Sequence, residues 1–114
     1  MPYVNVNLTG SASENELEQL KTEIGAVIEI IPGKTEKVLM IDIEHSKTFY
    51  FAGEKQNNCA YVDVKIYGTC SFDEKASFTR AMFEVFNKVL YIPEDKMFLT
   101  ISEFDTWGAR GALK

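Results

Sequence analysis

Few residues in this chain have the type and spacing that catalysis usually demands. It has one histidine, His45, and two cysteines, Cys59 and Cys70. A single imidazole leaves a Ser-His-Asp relay or a His-rich metal cluster almost no material. The cysteine spacing matches neither a C-x-x-C redox pair nor a zinc site, so two reduced thiols are expected. No metal and no cofactor is expected. Lys34, in the segment IPGK, is by itself a solvated turn lysine just past a helix end, where a cation is favoured.

Charge narrows the partners. Twelve Lys and Arg stand against 17 Asp and Glu, a formal net charge of -5. Such a surface repels nucleic acid and anionic lipid, and an anionic ligand would need a local cluster of positive charge. The start MPYVNVNLTG lacks a basic region followed by a long apolar run, and no apolar stretch has the length to cross a bilayer. A cytoplasmic protein with no nucleic-acid or membrane partner is the expectation.

The elements that would position any site come from an internal duplication. PYVNVNL at Pro2 to Leu8 and AYVDVKI at Ala60 to Ile66 share Tyr, Val and Val at the same offsets. Each is followed by a helical pattern, then by Ile-Pro and a strand-like run. The 114 residues thus read as one α/β (α+β) domain, 1–114, of two β-α-β units at about 2–45 and 60–104. Ser13 with Glu16 and Ser71 with Glu74 read as capping boxes. Leu17, Leu20, Ile24, Val27, Ile28 and Ile31 form the first helix's apolar face; Phe72, Ala76, Phe83, Phe86 and Leu90 are assigned to the second.

Alternation along the strands puts Val4, Val6, Leu8, Leu39, Ile41, Ile43, Val62, Val64, Ile66, Met97, Leu99 and Ile101 on one face. That face belongs under both helices, giving a four-stranded mixed sheet with two helices on one side. The other face carries Tyr3, Asn5, Asn7, Val38, Met40, Asp42, Tyr61, Asp63, Tyr67, Phe98, Thr100 and Ser102. Aromatics and short polar groups suit a covered surface, and self-association in a closed ring is the economical cover. Residues 46–58, with the run TFYF, read as a short edge strand and turn that could pair with a neighbour.

MP before a strand, GK at Gly33 and Lys34, FAGE from Phe51 and WG at Trp107 make the chain resemble the macrophage migration inhibitory factor and phenylpyruvate tautomerase family. The resemblance implies a homotrimer of duplicated β-α-β units with active sites between subunits. It also implies that the initiator Met is removed and that Pro2 becomes the catalytic base. A free proline amine can work near neutral pH if burial or nearby positive charge disfavours its protonated form. Lys34 would supply that charge and bind a substrate carboxylate. With Met1 attached, the Pro2 nitrogen is an amide and this chemistry cannot run; removal before proline is expected in cells.

Further substrate-binding residues implied by the resemblance are Tyr67, Phe98, Thr100, Tyr3 and Trp107. The backbone at Tyr67 would help hold the carboxylate, although a packed sheet tyrosine is the simpler account of its side chain. Phe98, with Tyr3 and Trp107, would exclude water from an adjacent chain. Phe98 stands where the family has a tyrosine, Thr100 where it has an asparagine, and Ala109 where a pocket tryptophan often sits. The pocket thereby loses a phenolic proton donor, and Arg110 could add positive charge. The activity implied is keto-enol tautomerisation of a small 2-oxo acid such as a phenylpyruvate-like compound. The alternative is a binding or interaction protein that keeps the scaffold with little catalysis.

Overall fold

Alternating side chains and two capped helices build the architecture of the computed structural model, which describes residues 1–114. Its elements are β1 (Pro2–Leu8), α1 (Glu14–Val27), β2 (Met40–Glu44), β3 (Phe49–Phe51), β4 (Glu54–Gln56), β5 (Ala60–Tyr67), α2 (Phe72–Leu90), β6 (Met97–Phe104), β7 (Gly108–Ala109) and β8 (Ala112–Leu113). The main sheet runs β2-β1-β5-β6. β1 pairs in parallel with β2 and β5 with β6, while β1 and β5 are antiparallel, so the sheet is mixed.

Period-two burial is plain in the centre of the sheet. Val4, Val6, Val62, Val64 and Ile66 are fully buried, against Leu20, Ile24 and Ile28 of the α1 segment and Phe78, Met82 and Phe86 of α2. Each such side chain contributes on the order of 1.5–3 kcal/mol relative to exposure. Ile41, Ile43, Leu99 and Ile101 on the outer strands, and Leu39 just ahead of β2, pack against the same core while half-buried. No helix is long and apolar enough to cross a membrane.

Both helices start as their sequences dictate. Ser13 accepts from the Glu16 N–H and Ser71 from the Glu74 N–H, and each Glu side chain returns to its cap's N–H. The face of α2, however, differs from the expected stripe. Phe78, Met82, Val85, Phe86 and Val89 are buried, whereas Phe72 is 80% exposed and Ala76 is exposed. The sequence carries two apolar stripes that share Phe86 and lie about a quarter turn apart. The stripe of Phe78, Met82, Val85, Phe86 and Val89 faces the strands. Phe72 and Ala76 instead line an open groove with Leu99, Ile101 and Phe83, while Phe83 and Leu90 also pack half-buried against the core.

One further expectation changes. Val38 lies in a single 3-10 turn, Glu36–Val38, ahead of β2 rather than in a strand. TFYF pairs within its own chain: β3 and β4 form a hairpin, closed by Ala52 and Gly53 at φ 55° and 80°. Two consecutive left-handed residues match a type I′ turn, whose twist suits a tight hairpin. The same device, Arg110 and Gly111 at φ 54° and 81°, closes the β7–β8 hairpin.

The helix-free face carries a web of polar contacts. Tyr3 Oη and Asn5 Nδ2 both donate to Asp42 Oδ2 at 3.0 Å, and Asn7 Nδ2 donates to Asn5 Oδ1 at 2.7 Å. Lys65 pairs with Asp63 at 2.6 Å, and Tyr61 Oη shares a hydrogen bond with Thr100 Oγ1 at 2.8 Å. Met40 and Phe98 nonetheless remain 67% and 61% exposed there.

Helix ends offer a direct test. Ser71→Ala removes a cap and should cost about 1 kcal/mol in urea unfolding. Tyr91 ends α2 at φ 57° while 77% exposed. Tyr91→Gly should therefore raise stability by about 0.5–1 kcal/mol, because only the left-handed strain is relieved.

Candidate active site

Residues 31–34 place a lysine where the chain begins. Pro32 favours the first corner of a turn, Gly33 supplies φ 77° at the second, and Lys34 N–H closes back on Ile31 O at 3.1 Å. This is type II turn chemistry, and it accounts for the Gly before the Lys. Lys34 Nζ then donates to the Tyr67 carbonyl at 2.6 Å. Tyr67 N–H donates in turn to Met1 O at 3.2 Å, and Gly68 N–H to Phe104 O at 2.8 Å. The chain start, the Lys34 turn and the ends of β5 and β6 are joined at one corner.

The amine at this corner is perturbed. The Met1 α-amino group falls from 8.0 to about 6, first through burial, then through the Lys34 charge and hydrogen bond, with a smaller push from Lys114. Pro2, the next residue, is buried. As the first residue of β1 it loses no ladder hydrogen bond that another residue would have made there.

A groove of about 780 Å³ opens beside Met1 and Pro2. Tyr3, Val38, Met40 and Lys65 line it from the helix-free side of the sheet, and Phe104, Thr106, Trp107, Gly108, Ala109 and Arg110 from the C-terminal segment. Trp107 meets Phe104 edge-on at 6.0 Å. The small Ala109 leaves that wall open.

Tyr3 and Trp107 thus stand beside the Pro2 of their own chain, whereas an adjacent chain was expected to supply them. Their place follows from β1 leading straight into Tyr3 and from the tail hairpin turning back. The Tyr3 phenol is raised by burial and by the Asp42 carboxylate that accepts its proton, so that proton is committed. The Tyr67 side chain is half-buried and absent from the groove lining; its backbone makes the contacts described above.

Phe98 and Thr100 lie elsewhere in the chain. Pro2 is in register with Ile66 and Ile66 with Glu103, five positions along β6 from Phe98. At about 3.3 Å per residue that is about 17 Å. Phe98 instead packs on Phe51 at 5.3 Å, and Thr100 bonds Tyr61. Lys65, Met40 and Phe104 are groove residues not singled out from sequence. Alternation offered the signal for Lys65, which lies between the inward Val64 and Ile66. Cys59 and Cys70 are free thiols away from the groove.

A Lys34→Met substitution should move the Met1 amine from about 6 back toward 8, followed by the pH dependence of its acylation. Because folding lowers this pKa, the unfolded chain binds more protons between those values. Stability should therefore rise with pH across that window, and Lys34→Met should flatten the slope in urea titrations.

A family model described as macrophage migration inhibitory factor matches residues 1–112. No curated protein matches the sequence. Among solved structures, the Leishmania major protein MIF2 superposes with a TM-score of 0.90 at 19% identity, covering 100% of this chain and 97% of that one. Pt0534, in its form inactivated by 2-oxo-3-pentynoate, gives 0.85 at 18%, covering 96% and 92%. A fused 4-OT asymmetric trimer gives 0.85 at 14%, covering 96% and 94%. At such identities these likenesses show the shared fold.

Proposed function

The chain belongs to the macrophage migration inhibitory factor family, and on that premise we propose that it is a keto-enol tautomerase of small 2-oxo acids with Pro2 as its base. The observation that carries this reading is the corner where Lys34 Nζ, bonded to the Tyr67 carbonyl at 2.6 Å, meets the chain start beside a groove lined by Pro2. After removal of Met1, the secondary amine of Pro2 would become the chain start at this corner, where burial and the Lys34 charge disfavour a protonated amine. It would take the proton from the carbon beside the carbonyl as the C–H electrons form the enol double bond. The former carbonyl oxygen would take its proton from water, since Phe98 offers none and the Tyr3 proton is held by Asp42.

Lys34 uses one of its three donors on Tyr67 and keeps others for a substrate carboxylate. Met40, Phe104 and Trp107 would exclude water from the reacting carbon. A homotrimer completes the reading, with the exposed Met40 and Phe98 supporting a covered helix-free face. In it, Phe98 and Thr100 of one chain would approach the Pro2 corner of the next. The two free thiols suit a reducing, cytoplasmic setting.

Intact mass of protein from its native source should show Met1 absent. Loss of enol absorbance should slow by about a hundredfold in kcat/KM for Pro2→Ala, the usual worth of a positioned base. Lys34→Ala should raise KM about tenfold, as expected for one lost charged hydrogen bond. Equal rates in wild type and Pro2→Ala would remove Pro2 from the mechanism.

Phe98, Thr100 and Ala109, the departures from the family pattern, favour a second reading as a binding protein on the same scaffold. Retained Met1 in native protein, with enol decay no faster than in buffer, would select it.

A further inference from the structure

The charge of the groove exceeds what one carboxylate requires. None of its twelve lining residues is Asp or Glu, although the chain has 17 of them and a net charge of -5. Two lining residues, Lys65 and Arg110, are cations, and Lys34 and Lys114 act on the amine at its edge. Lys65 is held by Asp63 at 2.6 Å, with its Nζ 5.8 Å from the Tyr3 ring centre. Arg110 makes no ion pair and no side-chain hydrogen bond, and its five donors are free.

The backbone at Arg110 adds an independent mark. It sits at φ 54° as the first of the two turn residues that join β7 to β8. Asn or Gly holds that conformation with least strain, and a long charged residue gains nothing locally from it. The turn does place Arg110 in the hairpin wall of the groove, whereas Lys34 is outside that lining. Val38, Met40 and Trp107 give the lining an apolar part that suits a short hydrocarbon chain.

We propose that the groove takes a 2-oxo dicarboxylate, with Lys34 on the carboxylate beside the carbonyl and Arg110 on the distal one. The guanidinium fork can bind that second carboxylate through two parallel hydrogen bonds, a geometry a lone ammonium cannot offer. The chemical part rests on the tautomerase reading; the binding part stands on the groove alone.

Calorimetry with glutarate and butyrate, both inert to tautomerisation, tests the binding. Glutarate should bind wild type at least about tenfold more tightly than butyrate, the worth of a charged hydrogen-bonded contact. Arg110→Asn, which keeps the left-handed turn, should erase that preference, and Arg110→Lys should restore part of it. In turnover, Arg110→Asn should raise KM for enol-oxaloacetate by a larger factor than KM for enol-phenylpyruvate. Equal wild-type affinity for the two acids, or an unaltered glutarate affinity in Arg110→Asn, would overturn the inference. Selective glutarate binding without any tautomerisation would uphold it while sinking the proposed activity.

Discussion

A chain end can serve in a site only if the fold holds it still, and termini ordinarily fray. Here β1 is interior to the sheet, in register with β2 on one side from Tyr3 and with β5 on the other from Pro2. The bond from Tyr67 N–H to the Met1 carbonyl extends that order to the first residue. Lys34 then fixes the Tyr67 carbonyl, so the amine, the ammonium and the strand end form one rigid corner. The depressed amine and the groove beside it both depend on this arrangement.

Much of the fold was legible because two periodicities are clean. Val4, Val6, Val62, Val64 and Ile66 alternate without interruption, and Ser13 and Ser71 cap their helices through the partners their spacing names. The α2 face was misread because Phe is counted as core wherever it stands. Phe72 falls on the first helical residue, outside the stripe that Phe78, Met82 and Val89 complete. The return strand of the first small hairpin and the whole of the second were hidden for a different reason. Their turns use Ala-Gly and Arg-Gly where Asn-Gly would have announced a left-handed pair.

The site was legible where it is local and obscure where it depends on chain return. Gly33 and Lys34 form a turn whose chemistry lies in four consecutive residues. Tyr3 and Trp107 reach the same groove from opposite ends of the sequence, which no spacing rule conveys. Phe98 and Thr100 are far from Pro2 within the chain because β6 carries them to the opposite end of the strands. Within one chain they are not part of this groove.

The interior place of β1 also governs what can be attached to the protein. The groove wraps the first two residues, and the β7–β8 hairpin closes on them from the other terminus. A purification tag or fused partner ahead of Met1 would turn the amine into an amide and add chain at a residue that lines the groove. Labels are better carried on the exposed side of α2, at Asp73 or Ser77.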